Sequence, residues 1–234
     1  MSTVLLVRHG RTPANAAGVL AGWTPGVHLD ETGQAQARTL ADRLSGLPLA
    51  AVVTSPLERC QETAAPIAAA RDGLVPVVDD RLGECRYGEW TGQELKRLAK
   101  DKLWRVVQAH PSAVTFPGGG ESMVAMAARA VSAVREHDAR VGERLGDGGV
   151  WVAVTHGDVI KAVVADALGL HLDQFQRIVV EPCSVTAISY TELRPFVLRL
   201  NDTGSDLSQL APPARRRRRR ASSDAVVGGD AGAA

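Results

Sequence analysis

"STVLLVRHGRTPAN", residues 2–15, sets four aliphatic side chains, Val4 to Val7, directly against Arg8-His9-Gly10-Arg11. An apolar run this short, closed by a glycine turn, suits a strand buried on both faces of a sheet. With Arg8 following at once, it is expected to be neither a signal peptide nor a membrane span. At its end two guanidiniums flank an imidazole. A positive charge disfavours a second one beside it, so the arginines are expected to lower the His9 pKa and keep the ring neutral near pH 7. A neutral imidazole can act as a nucleophile, and two arginines make a seat for an oxyanion. For this fragment alone, a solvated turn after a strand explains the residues at least as well.

Further along, strands and helices alternate. A helical pattern runs from about Glu31 to Leu44, with Ala37, Leu40, Ala41 and Leu44 spaced by three and four residues. Ala51 to Thr54 reads as a second strand. Ser55-Pro56-Leu57-Glu58 then reads as a helix start, with Ser55 as N-cap, Pro56 at the first helical position and Glu58 closing a capping box. Cys60, Ala64, Ile67 and Ala68 form the inner stripe of that helix. Val75 to Val78 predicts a third strand, residues 93–108 a helix, and residues 121–145 a long helix. "GVWVAVTHG", residues 149–157, is a fourth strand ending in a second His-Gly turn, and a helix follows over 158–168. Residues 184–191 and 195–200 read as a terminal strand pair. This order defines an α/β fold: a three-layer sandwich with a mostly parallel sheet, an antiparallel edge strand, and helices on both faces.

The 234 residues suffice for one large domain with a full core. The net charge of +1 hides an asymmetry, because Arg215 to Arg220 with Asp224 and Asp230 contribute +4 and leave the rest at −3. A cluster of arginines inside the acidic part is therefore not a by-product of a basic surface. Cys60, Cys85 and Cys183 are odd in number and far apart, which fits a reducing compartment better than a disulfide framework or a zinc site. A cytoplasmic protein without a membrane span is expected. Residues 1–203 read as the folded domain and 204–234 as a disordered, Arg-rich tail.

His9 and His156 both follow buried-type strands, and each precedes a glycine. In an open α/β sheet, ligands bind beyond the carboxyl ends of the strands, so the two histidines are expected to face one another. Arg59 opens the helix after the second strand. A cation so early in a helix is mildly unfavourable unless an anion offsets it, since the helix N-terminus is itself positive. The three together point to a phosphate-sized ligand.

"LLVRHGRTPAN", "TSPLERCQETA", "RLGECRYGEWTG", "GGGES" and "VTHGDVIKAVV" resemble, in order and spacing, the motifs of the histidine phosphatase superfamily, in its phosphoglycerate mutase-like branch. The resemblance spans roughly residues 3–200 and makes residues 1–203 the catalytic domain. It implies that His9 is the nucleophile and becomes a phosphohistidine, with Arg8, Arg59 and His156 clamping the phosphoryl oxygens. His156 is expected to be cationic when phosphate is bound. Asn15 would add a hydrogen bond, and Glu84 would be the acid that protonates the leaving group and then activates water. Whether burial or a substrate raises the Glu84 pKa is open. Gly22 with Trp23 resembles the family's substrate-side "GW" segment, with packing the other reading for Trp23. "ECRYG" resembles the mutases' Glu-x-x-Tyr-Gly, which favours the mutase and implies that Tyr87 would touch a substrate carboxylate, and Arg11 is expected to extend the positive mouth and favour highly anionic substrates. His28, His110, His137 and His171 receive no role.

A phosphatase must admit water to phosphohistidine, whereas a mutase excludes it and grips a small acid. Residues 93–117 lack the arginine pair and proline run with which the family's cofactor-dependent mutases do this, so a small-molecule phosphomonoesterase is the expected function and a phosphomutase the alternative. A third reading is a non-catalytic phosphate-ligand binder, its arginine run making non-specific contact with polyanions. No aromatics alternate with those arginines, so specific nucleic-acid recognition is not expected. Neither metal-ligand spacing nor a nucleotide fingerprint occurs, so no metal and no cofactor are expected. Pairing of two copies through the final strand would give a homodimer.

Overall fold

A computed structural model describes residues 2–146 and 148–204. The first strand, β1 (Ser2–Arg8), leads through a one-turn helix, α1 (Pro13–Ala17), to α2 (Glu31–Leu44), β2 (Leu49–Thr54), α3 (Glu58–Ala69) and β3 (Val77–Val78). Two short helices follow, α4 (Leu95–Leu98) and α5 (Lys102–Ala109), then the long α6 (Met123–Leu145), β4 (Gly149–Thr155), α7 (Gly157–Ala167), β5 (Val185–Tyr190) and β6 (Pro195–Asp202). The sheet order is β3-β2-β4-β1-β5-β6. β1, β2, β3 and β4 run parallel, β5 is antiparallel to β1, and β6 returns antiparallel to β5 at the edge.

The period-two alternation of a pleated strand divides the core. Val4, Leu6, Trp151 and Ala153 face α6 and α7, packing with Met126, Ala130, Val134 and Ile160. Leu5, Val7, Val152 and Val154 face α2 and α3, packing with Leu40, Leu44, Ala64 and Ile67. The three layers follow from this split, and the expected fold class holds.

Three local readings are corrected. The helix expected over 93–108 is two helices, because Asp101 accepts a hydrogen bond from the Leu103 N–H at 2.8 Å and starts α5 afresh. The third strand is two residues rather than Val75–Val78: Pro76 has no N–H to give a ladder, and only Val77 and Val78 pair with β2. α3 begins at Glu58 and not at Pro56, with Leu57 at its N-cap and no side-chain cap. Ser55 is spent on His156, and Glu58 accepts from the Gly26 N–H at 3.0 Å instead of closing a capping box. The arginine run and the tail reading lie outside the described residues.

Candidate active site

β1, β4 and β2 are neighbours and parallel, so their carboxyl ends open on one side of the sheet. His9 follows β1, His156 follows β4, and Ser55 and Arg59 follow β2. The turn after β1 must pass close to α2: a Cβ on Gly10 would stand 2.7 Å from the Gly33 carbonyl oxygen, so no larger residue fits. The Gly10 N–H donates to Thr63 Oγ1 at 3.0 Å and fixes the turn.

His9 is 4 % exposed. Its Nδ1 lies 2.8 Å from the Gly10 carbonyl, which can only accept, so Nδ1 carries the proton and Nε2 the lone pair. Arg59 Nε donates to that Nε2 at 3.3 Å. The pKa of His9 is pushed down to about 3, first by burial and then by the Arg59 charge, with Arg8 adding to it against the Gly10 hydrogen bond. The neutral ring is as expected, but burial rather than the arginines is the larger cause.

Arg59 Nη2 donates to the Gly22 carbonyl at 2.8 Å and lies 3.3 Å from His156 Nδ1. Arg8 Nη1 donates to the Val180 carbonyl at 2.6 Å. Each arginine keeps one buried N–H group without a protein partner, Arg8 Nε and Arg59 Nη1. An orphaned buried donor of this kind is costly, and two on cationic groups beside one histidine suit an incoming anion.

His156 is fully buried and lies behind the cleft wall rather than on it. Its ring meets that of His9 edge-on at 5.3 Å, and its Nε2 is 2.7 Å from Ser55 Oγ. Burial, then Arg59, holds its pKa well below the ordinary histidine range. The imidazole is thus uncharged beside these groups, and the charge expected on it requires a dianion at the clamp.

A cleft of about 430 Å³ opens above these residues, lined by Arg8, His9, Asn15, Gly22, Arg59, Glu84 and Tyr87 among others. Asn15 Oδ1 accepts from the Thr12 N–H at 3.1 Å, which leaves its amide N–H groups for a ligand. Glu84 has its pKa raised to about 7, first by burial and next by the Asp158 carboxylate, while Arg59, the Cys85 N–H and Arg8 pull it down. Burial is thus the answer to what raises it.

Two expectations need correction. Arg11 does not line the cleft: its Nε donates to Asp30 Oδ2 at 2.8 Å and its Nη2 to Thr32 Oγ1 at 2.7 Å, so its charge is met at the start of α2. Tyr87 lines the cleft, but its hydroxyl donates to Asp158 Oδ2 at 2.8 Å and is already engaged. Trp23 packs under Arg86, whose guanidinium carbon sits 3.8 Å above the ring. His137, which receives no role from the sequence, is buried and bonded to Asp79 at 2.8 Å.

The sequence reading missed Ser55, Asp158, Lys161 and Gln176. Asp158 and Lys161 line the cleft one helical turn apart, and Lys161 Nζ donates to Gln176 Oε1 at 3.1 Å. Their signal was present: i, i+3 spacing in the first turn of a helix that starts at the ligand edge.

Fold and cleft together define an α/β protein with a histidine and two arginines gathered at the carboxyl ends of its parallel strands. The model of the histidine phosphatase superfamily (branch 1) matches residues 4–203. The chain is 31% identical to a 2,3-bisphosphoglycerate-dependent phosphoglycerate mutase 2 of Gloeobacter violaceus, over 92% of this chain and 98% of that one. It is 32% identical to phosphoserine phosphatase 1 of Hydrogenobacter thermophilus, over 87% of this chain and 93% of that one. A solved structure of a mycobacterial glucosyl-3-phosphoglycerate phosphatase with VO3 superposes with a TM-score of 0.74 at 28% identity, covering 86% of this chain and 98% of the other. This chain belongs to the histidine phosphatase superfamily, branch 1.

Proposed function

We propose that this member of the superfamily is a phosphatase that hydrolyses small-molecule phosphomonoesters through a phosphohistidine on His9. Four roles make up this reading. His9 Nε2 bonds to phosphorus as the ester P–O bond breaks. Arg8 and Arg59 meet the phosphoryl oxygens with the N–H groups that no protein atom takes, and Asn15 adds its amide. His156 supports the clamp from behind through Arg59. The Glu84 carboxyl gives its proton to the departing oxygen. Its carboxylate then takes one from the water that attacks phosphorus, releasing phosphate and restoring neutral His9.

The observation that carries this reading is the pairing of a neutral, oriented imidazole with two orphaned guanidinium donors. Similarity to phosphatases acting on phosphoserine and glucosyl-3-phosphoglycerate supports it. So does the middle of the chain: of residues 93–117, Leu95 is the one that lines the cleft, so this stretch brings no cation to grip a phosphoglycerate carboxylate. In this reading the guanidiniums of Arg8 and Arg59 beside His9 meet the phosphoryl charge, and the chemistry needs no metal. Three free, buried cysteines are in keeping with a cytoplasmic setting. Residues 1–203 carry the chemistry in this reading, and removing 204–234 leaves it intact.

The test is phosphate release over sugar phosphates, phosphoserine, phosphoglycerates, nucleotides and aryl phosphates, beside alkaline-quench trapping of labelled enzyme. An acid-labile, alkali-stable label that disappears in His9→Ala is expected. Transfer of the label to phosphoglycerate without net phosphate release would favour the mutase instead, and no label would leave only a binder.

A further inference from the structure

We infer that Arg129 is the positioning residue that fixes where the Glu84 carboxyl stands, and thereby governs how well this site expels poor leaving groups. The inference rests on the reading of Glu84 as proton donor.

Glu84 lies on irregular chain between short 3-10 turns at Asp80–Leu82 and Gly88–Trp90. No strand or helix ladder serves the carbonyls there, and buried carbonyls need donors. Arg129, in the second turn of α6, provides them. A guanidinium has five N–H groups, and all are engaged. Nη1 donates to the Arg81 carbonyl at 2.7 Å and the Gly83 carbonyl at 2.8 Å, and Nη2 to that of Glu84 at 2.9 Å. The remaining two reach Glu121: Nε to Oε2 at 3.0 Å and Nη2 to Oε1.

Glu121 closes the clasp on the other side of Glu84. Its Oε1 accepts from the Arg86 N–H at 2.9 Å, and its own N–H donates to the Arg86 carbonyl at 2.9 Å. Trp23 Nε1 adds a second donor to the Glu84 carbonyl. The Glu84 main chain is thus held from both flanks, while its side chain reaches the cleft with Oε2 3.8 Å from His156 Nδ1. Arg129 itself does not line the cleft. Lysine, a point charge with three donors, cannot span three carbonyls and a carboxylate, so Arg129→Lys is not conservative here.

The test compares kcat/KM on 2,4-dinitrophenyl phosphate, whose leaving group departs without a proton, with kcat/KM on glycerol 2-phosphate, whose alkoxide needs one. Arg129→Lys is expected to lower the second on the order of 100-fold and the first by less than about threefold, since misplacing a proton donor by about 1 Å costs that much. Glu121→Gln, which removes the charge and turns one of the two accepting oxygens into an N–H donor, is expected to show the same split at roughly tenfold; it decides the matter if Arg129→Lys does not fold. Equal losses on both esters, or no loss, overturn the inference. Glu84→Gln separates the two ideas. A split there with none in the clasp variants overturns the role of Arg129 alone, whereas no split in Glu84→Gln overturns the reading of Glu84 on which it rests.

Discussion

His9 and Glu84 are buried in one cleft and shifted in opposite senses, His9 down to about 3 and Glu84 up to about 7. Both shifts favour the uncharged form, as burial demands. In the proposed mechanism they hold the nucleophile and the acid of the same step ready together. His9 must be unprotonated to attack, so the acid limb of kcat/KM is expected near pH 3 and not near 6.5. Glu84 must be protonated to give its proton, so kcat/KM is expected to fall as pH rises through about 7. Asp158 is the second cause of that raised pKa, after burial. Asp158→Asn removes a negative neighbour, and the alkaline limb is expected to move to lower pH; a limb that stays put would remove Asp158 from this role. Arg59→Met deletes the guanidinium that touches His9, Gly22 and His156 at once. A loss in kcat/KM on the order of 1000-fold is expected, the scale of a lost arginine in phosphoryl transfer, with steady-state kinetics on an aryl phosphate as the check.

At the scale of elements, the site depends on how strand ends are joined to helix starts. Ser55 Oγ contacts His156 Nε2 and also accepts from the Leu57 N–H at 3.3 Å, between β2 and α3. Ser55→Ala leaves that buried imidazole nitrogen with only the weak Cys60 thiol, 3.4 Å away, and is expected to lower unfolding free energy by about 1–3 kcal/mol, read by urea denaturation. α2 (Glu31–Leu44) was legible because its apolar stripe is a local signal, and the Asp30 side chain caps its start. α3 was misread at its start for the opposite reason. Ser-Pro-x-Glu is a good cap locally, yet a histidine about a hundred residues away claims the serine. The same competition undid Arg11, whose charge Asp30 claims at the head of α2.

At the scale of the whole molecule, an anion is expected to stabilise the fold by binding the clamp. Orthovanadate at 100 times its Kd should add about 2.7 kcal/mol and raise Tm. That rise should vanish in Arg59→Met and be indifferent to EDTA, since the binding groups are guanidiniums. A rise abolished by EDTA in the unaltered enzyme would contradict this. The sequence by itself determined the layers, the family and the strand-end placement of His9, Arg59 and His156, because hydrophobic period and turn residues act over a few neighbours. Only the tertiary structure decided which polar groups meet. His156 sits behind the cleft wall, Tyr87 is taken by Asp158, and Arg129 grips the chain around Glu84. Such pairings join residues far apart in the chain. A side chain's role there depends on which distant donor or acceptor burial brings within 3 Å or so, and no local pattern records that.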